Sequence, residues 1–276
     1  MLSTGLSRTL LVALVFYHYA CLALPLSIEN DNNEKLWMNV SGQNEPTVVF
    51  ISGNGNDSSV WIDIESNVKK FGVRTVVYDR SGLGNSPLSY TPYHIKDEAN
   101  DLTHALSKNE VDGAIILVAH SYGGLIALLV AEGNPNIKGI VLIDALLPLD
   151  LNDLVVSGVL TQYTPQFEAL EKAAPMLAKA VIPVVKAYPD TAGHVRDVKV
   201  RLDLPVIDIV AEFPWVTEPE QVKHVESVHA EFVARSPMRS SVIAKGSTHN
   251  VLVDDPEIIL ESISQMLSRL NITNDS

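Results

Sequence analysis

Ala119-His120-Ser121-Tyr122-Gly123-Gly124 is the stretch whose reading decides the fold. Ahead of it, Ala114-Ile115-Ile116-Leu117-Val118 is an apolar, β-branched run of strand length. Behind it, Leu125 to Ala131 is apolar throughout and predicts a buried helix. Strand, sharp turn and helix form the setting in which a Ser between small residues becomes a nucleophile elbow. Its hydroxyl then projects from a strained turn, and the next N–H points into the same space. The usual pattern is G-x-S-x-G; Ala119 takes the place of the first Gly and is small enough to do so. Ser121 also reads as a plain helix N-cap after a strand, so the surrounding chain has to decide.

Upstream, Leu36 to Val40 predicts a short outer strand and Thr47 to Ser52 a fully buried one, followed at once by Gly53-Asn54-Gly55-Asn56. That loop matches neither the dinucleotide-binding nor the P-loop pattern, and no Lys follows it. It suits presentation of a backbone N–H to an oxyanion instead. A helix over Trp61 to Phe71, ended by Gly72, leads to a strand over Val73 to Tyr78. Next comes the loop Asp79-Arg80-Ser81-Gly82-Leu83-Gly84, where Asp79 and Arg80 read as a loop brace or ion pair before they read as catalytic groups. His94 to Asn109 predicts an amphipathic helix.

Downstream, Ile140 to Ile143 is a strand ending in Asp144. Between Pro148 and Leu204 the period-two pattern disappears. Helical stretches at Phe167 to Lys172 and Met176 to Lys186 are broken by Pro165, Pro175, Pro183 and Pro189. An all-helical insertion within an α/β alternation predicts a lid over residues 148–204. The core resumes with a strand over Pro205 to Ala211, a helix over Glu218 to Arg235 and a short strand over Ser241 to Ala244. Gly246-Ser247-Thr248-His249 and a terminal helix over Pro256 to Leu270 follow. Strands alternating with helices predict an α/β class fold, a mostly parallel sheet with helices on both faces. Its core would comprise residues 24–147 and 205–276.

The chain has 276 residues, 46% of them hydrophobic and 19% charged, enough for a sizeable core and too apolar for general disorder. A formal net charge of −13 argues against nucleic acid or an anionic membrane surface as partner. Residues 1–23, with the apolar run Leu10 to Phe16 and Cys21-Leu22-Ala23 at their end, read as a cleavable signal peptide and predict a secreted or exported protein. An uncleaved membrane anchor is the alternative, although the run is short for a span. Cleavage removes Cys21, the one cysteine, and with it any thiol chemistry or Cys-ligated metal. Sequons stand at Asn39, Asn56, Asn271 and Asn274.

Taken in order, the strand and Gly loop, Asp-Arg loop, elbow, Asp-ended strand, helical insertion and late Gly-x-x-His resemble the α/β-hydrolase fold. The resemblance implies that Ser121 is the nucleophile and His249 the general base, with the backbone N–H groups of Asn54 and Tyr122 as oxyanion hole. Relatives usually carry their acid after the strand at 205 to 211, but here the sequence is Ala211-Glu212-Phe213-Pro214-Trp215. Asp144 is the first choice of acid and Glu212 the alternative; Asp208 and Glu218 are weaker candidates. His120 reads as structural, and His94, His104, His194, His224 and His229 as solvated or packed.

The implied activity is a serine hydrolase forming an acyl-enzyme on a small ester, lactone or similar acyl substrate, without cofactor or metal. An aminopeptidase or a hydroxynitrile-lyase-like reaction stays open within the same class. A Ser at the elbow, rather than an Asp, argues against dehalogenase and epoxide-hydrolase chemistry. The alternative from another class is a non-catalytic ligand-binding or interaction protein on this scaffold, kept open by the missing acid.

Overall fold

Seven strands are present in the computed structural model, which describes residues 36–89 and 92–270. They are β1 (Met38–Ser41), β2 (Thr47–Ile51), β3 (Arg74–Tyr78), β4 (Ile115–His120), β5 (Ile137–Ile143), β6 (Val206–Phe213) and β7 (Arg239–Thr248). The leader reading at 1–23 and the sequons at Asn271 and Asn274 lie outside the described residues. The strands form one sheet in the order β1-β3-β2-β4-β5-β6-β7, with β1 antiparallel to β3 and the remaining pairs parallel.

Helices α1 (Ile62–Val68), α2 (Ile95–Lys108) and α3 (Gly123–Ala131) belong to the first half of the fold. Between β5 and β6 stand α4 (Asp153–Tyr163), α5 (Phe167–Ala173), α6 (Pro175–Lys186) and α7 (Tyr188–Val195). The chain closes with α8 (Pro219–Ala234), α9 (Val251–Asp254) and α10 (Pro256–Arg269). Because side chains alternate across a strand, the continuous apolar runs feed two cores at once. Val49, Ile51, Ile115, Leu117 and Ala119 pack with α2, α3 and the insertion helices, whereas Val48, Phe50, Ile116 and Val118 pack with α1 and α10. The expected α/β architecture with a helical lid insertion is therefore the observed one.

Two details depart from expectation and a third extends it. Pro183 does not break its helix; it lies inside α6. Proline there forgoes one backbone bond, and burial of Val181, Ile182, Val184 and Val185 holds the segment helical around it. Helix α4 extends the predicted helical insertion ahead of the two stretches that the sequence singles out, with Val155, Val156 and Val159 buried. Strand β7 runs ten residues, well beyond Ala244, because a bulge between Ala211 and Phe213 lets Phe213 pair with Thr248.

From β2 the chain moves outward to β3, then crosses back to β4 on the other side of β2. Loops leaving β2 and β4 thus diverge at a topological switch point, where open α/β sheets form their binding crevice. Gly53-Asn54 and Ser121 sit at those two strand ends.

Candidate active site

Ser121 has φ +54, a left-handed conformation unusual for a residue with a side chain. Hydrogen bonds hold it there: its N–H donates to the Ile143 carbonyl at 3.2 Å, and its carbonyl accepts from Gly124 and Leu146 at 2.9 and 3.0 Å. Close packing explains the glycines beside it. A Cβ on Gly123 would lie 2.6 Å from the Ile51 carbonyl oxygen, and one on Gly124 would lie 2.5 Å from the Ala145 Cβ. Tyr122 forms the N-cap of α3, so its N–H belongs to the helix end that favours negative charge. Asn54 is half-buried in the turn after β2.

His249 follows β7, where the Asp254 carboxylate accepts from both the N–H and the hydroxyl of Thr248 at 2.8 and 2.6 Å. Its Nε2 lies 2.9 Å from the Ser121 Oγ, and its Nδ1 lies 2.5 Å from the Asp144 Oδ2. Asp144 is 1% exposed and has φ +38. Its second oxygen accepts the Ala211 N–H at 3.1 Å, which leaves the first one aimed at the imidazole. With Nδ1–H donated to Asp144, Nε2 is the nitrogen free to accept the Ser121 hydroxyl.

The other acids go elsewhere. Glu212 is exposed and accepts the Gly246 N–H at 2.6 Å. Asp208 is buried against His229, at 2.8 Å from Nδ1. Glu218 is exposed ahead of α8. Asp79 braces two loops, accepting from Ser58 N–H at 2.8 Å and Asn85 N–H at 2.7 Å. Its carboxylate also explains Gly84, whose Cβ would fall 2.2 Å from the Asp79 Oδ2.

His120 is closer to the site than its structural reading implied. Its Nε2–H donates to the His249 carbonyl at 2.9 Å, and the two rings lie 4.8 Å apart. Burial, reinforced by the nearness of the His249 ring, pushes His120 down to about 3, so it stays neutral. His229 behaves oppositely. Burial opposes its charge, but the Asp208 carboxylate and its hydrogen bond override that and lift it to about 9. Asp150, also buried there, is pushed up to about 7 by burial despite the nearby His229. These partnerships carry no sequence signal, because a lone His or Asp inside an element announces nothing about what faces it. Among the described residues, no group of three or more His, Cys, Asp and Glu side chains is disposed to hold a metal ion.

Residues 48–261 match the model of the alpha/beta hydrolase family. The chain belongs to that family. Among curated relatives, this alpha/beta hydrolase is 23% identical over 234 residues to the uncharacterised protein YqjL of Bacillus subtilis, covering 79% of this chain and 82% of that one. A carboxylesterase structure from Nitrososphaera gargenis superposes with a TM-score of 0.62 at 16% identity, over 86% of this chain and 95% of the other. An enol-lactonase from Burkholderia xenovorans LB400 gives 0.57 at 16% identity, over 84% and 96%. At these identities, the two structures bear on fold alone. The His249–Asp144 pair gives this alpha/beta hydrolase a centre suited to hydrolytic proton transfer.

Proposed function

We propose that the protein is a serine hydrolase that cleaves a small ester or lactone through an acyl-enzyme on Ser121. The observation that carries this reading is the hydrogen-bonded chain from Ser121 Oγ to His249 Nε2 (2.9 Å) and from His249 Nδ1 to Asp144 Oδ2 (2.5 Å). A Ser hydroxyl attacks a carbonyl only when a base removes its proton during attack. His249 takes that proton on Nε2 and returns it to the leaving alcohol, while Asp144 stays ionised and stabilises the imidazolium. Water then repeats the sequence on the acyl-Ser121 ester, releasing the acid. The N–H groups of Asn54 and Tyr122 are the donors assigned to the carbonyl oxygen as it gains charge.

The small acyl substrate class draws on the carboxylesterase and enol-lactonase of the same fold. The non-catalytic reading rested on the missing acid after β6; Asp144 beside His249 counts against it. Export by the leader at residues 1–23 is part of the proposal. An exported product beginning near Leu24 supports it, and a retained Met1 overturns it. Among the described residues no helix is long and apolar enough to cross a membrane.

The deciding experiment is intact mass after brief fluorophosphonate treatment of the unmodified protein and of Ser121→Ala. A single adduct that the variant lacks supports the assignment. A well-folded protein that takes no adduct, or a variant that still takes one, overturns it.

A further inference from the structure

Arg80 is 2% exposed, and each nitrogen of its guanidinium has a partner. Nε and Nη2 grip the buried Glu98 carboxylate, the shortest contact being 2.8 Å. Nη1 donates to the Gly53 carbonyl at 3.0 Å. A loop brace needs only one such contact, yet this one falls on the peptide that carries the Asn54 N–H. That peptide is trans, so its C=O and N–H point in opposite directions and one cannot turn without the other. Fixing the Gly53 oxygen therefore fixes the direction of the Asn54 N–H. A full positive charge on the oxygen side also draws electrons along the amide and makes that N–H a stronger donor. Gly53 itself abuts the elbow, since a Cβ on it would lie 3.0 Å from the Ser121 Cβ.

The same ion pair reaches Tyr122. The guanidinium lies 5.1 Å from the centre of the Tyr122 ring. Glu98 accepts the Tyr93 hydroxyl at 2.9 Å, so the Tyr93 oxygen must in turn accept from the Tyr122 hydroxyl, 2.8 Å away. Tyr122 also meets Thr191 of the lid helix α7 at 3.4 Å.

We infer that Arg80 is a positioning residue for the oxyanion hole: through Gly53 it aims and polarises the Asn54 N–H, and through the Glu98–Tyr93 relay it steadies Tyr122. The inference rests on the serine-hydrolase reading and adds to it a residue that touches no reacting atom. It also gives the Asp-Arg loop of the sequence a role at the reaction centre.

The test compares p-nitrophenyl butyrate with its thionoester, whose sulfur is a larger and weaker acceptor for oxyanion donors. Arg80→Met/Glu98→Gln removes both charges together, so that neither is left buried without its partner. With the thionoester, its kcat should fall less than about 10-fold, but with the ester about 100-fold, as for loss of one oxyanion donor, with KM nearly unchanged. Arg80→Lys retains a cation able to reach the Gly53 oxygen and should recover part of the ester rate; it carries the same comparison if the double variant does not fold. Equal losses on both substrates, or a loss confined to KM, overturn the role of Arg80 while leaving the serine-hydrolase reading intact. An unmodified protein without Ser121-dependent ester turnover overturns both.

Discussion

His249 and Asp144 meet across 105 residues of chain, Nδ1 to Oδ2 at 2.5 Å, because β5 and β7 end on the same side of the sheet. Glu212 stands on the strand between them, yet its longer side chain turns to the Gly246 N–H. Asp144→Asn should therefore lower kcat by about 10⁴-fold, since an amide at that position favours the wrong imidazole tautomer. Glu212→Gln should stay within about 3-fold, as expected of a residue outside the proton path. Ester kinetics on the two variants check this; a larger loss at Glu212 would move the acid to β6.

His120 sets an acid limit on stability. Its folded pKa of about 3 lies below the ordinary value of 6.5, chiefly through burial and then through His249. Below 6.5 the unfolded chain binds a proton that the folded protein refuses. The stabilisation is complete above 6.5 and is lost as pH falls towards 3. His120→Gln keeps an amide donor for the His249 carbonyl and has no such titration. Between pH 6.5 and about pH 4.5, the unmodified protein should lose roughly 2–3 kcal/mol more than the variant. Urea unfolding across that range measures the difference, and parallel losses would refute it.

Much of this was legible before the fold was known, for a physical reason. Parallel strands buried on both faces must be apolar without interruption, which is why Thr47 to Ile51 and Ile115 to His120 stand out. The elbow shows in its small residues, because Gly123 and Gly124 have no room for a Cβ. What could not be read were relations across the sheet. Choosing between Asp144 and Glu212 depends on the Ala211 N–H and on a bulge, neither of which has a sequence mark. The Arg80 contact with a main-chain oxygen and the His229–Asp208 pair are equally silent. Pro183 misleads because its cost is local, whereas the burial that offsets it involves residues on other elements.

The pair at His229 predicts an alkaline limit. Its folded value of about 9 exceeds 6.5, so its stabilisation is complete below 6.5 and is lost as pH rises through 9. Asp150, raised to about 7, acts in the same direction, being lost as pH rises from its ordinary range through 7. His229→Leu leaves the Asp208 carboxylate buried and unpaired and should cost about 3–5 kcal/mol near neutral pH. Asp208→Leu/His229→Leu should cost less than the two single changes added together, because neither Asp208 nor His229 is then left without the other. A double-mutant cycle by urea unfolding decides, with additive losses arguing against the pair.

Space at the elbow separates the two small positions around Ser121. Ala119 is fully buried on β4, and replacing it with Gly restores the usual motif while removing one methyl group and adding chain freedom. Ala119→Gly should cost about 1 kcal/mol and leave Ser121 labelling by fluorophosphonate intact. Gly123→Ala is different. Its new methyl would meet the carbonyl oxygens of Ile51 and Ser52 at 2.6 and 2.9 Å, both main-chain atoms of the strand end and loop beside the elbow. Those atoms can yield only by shifting β2 and the Gly53 turn. Gly123→Ala should cost about 1–3 kcal/mol or more, and slow Ser121 labelling even in the fraction that stays folded. Thermal unfolding with timed labelling of both variants checks the contrast. Equal stability and equal labelling would mean that the elbow tolerates a side chain at both places.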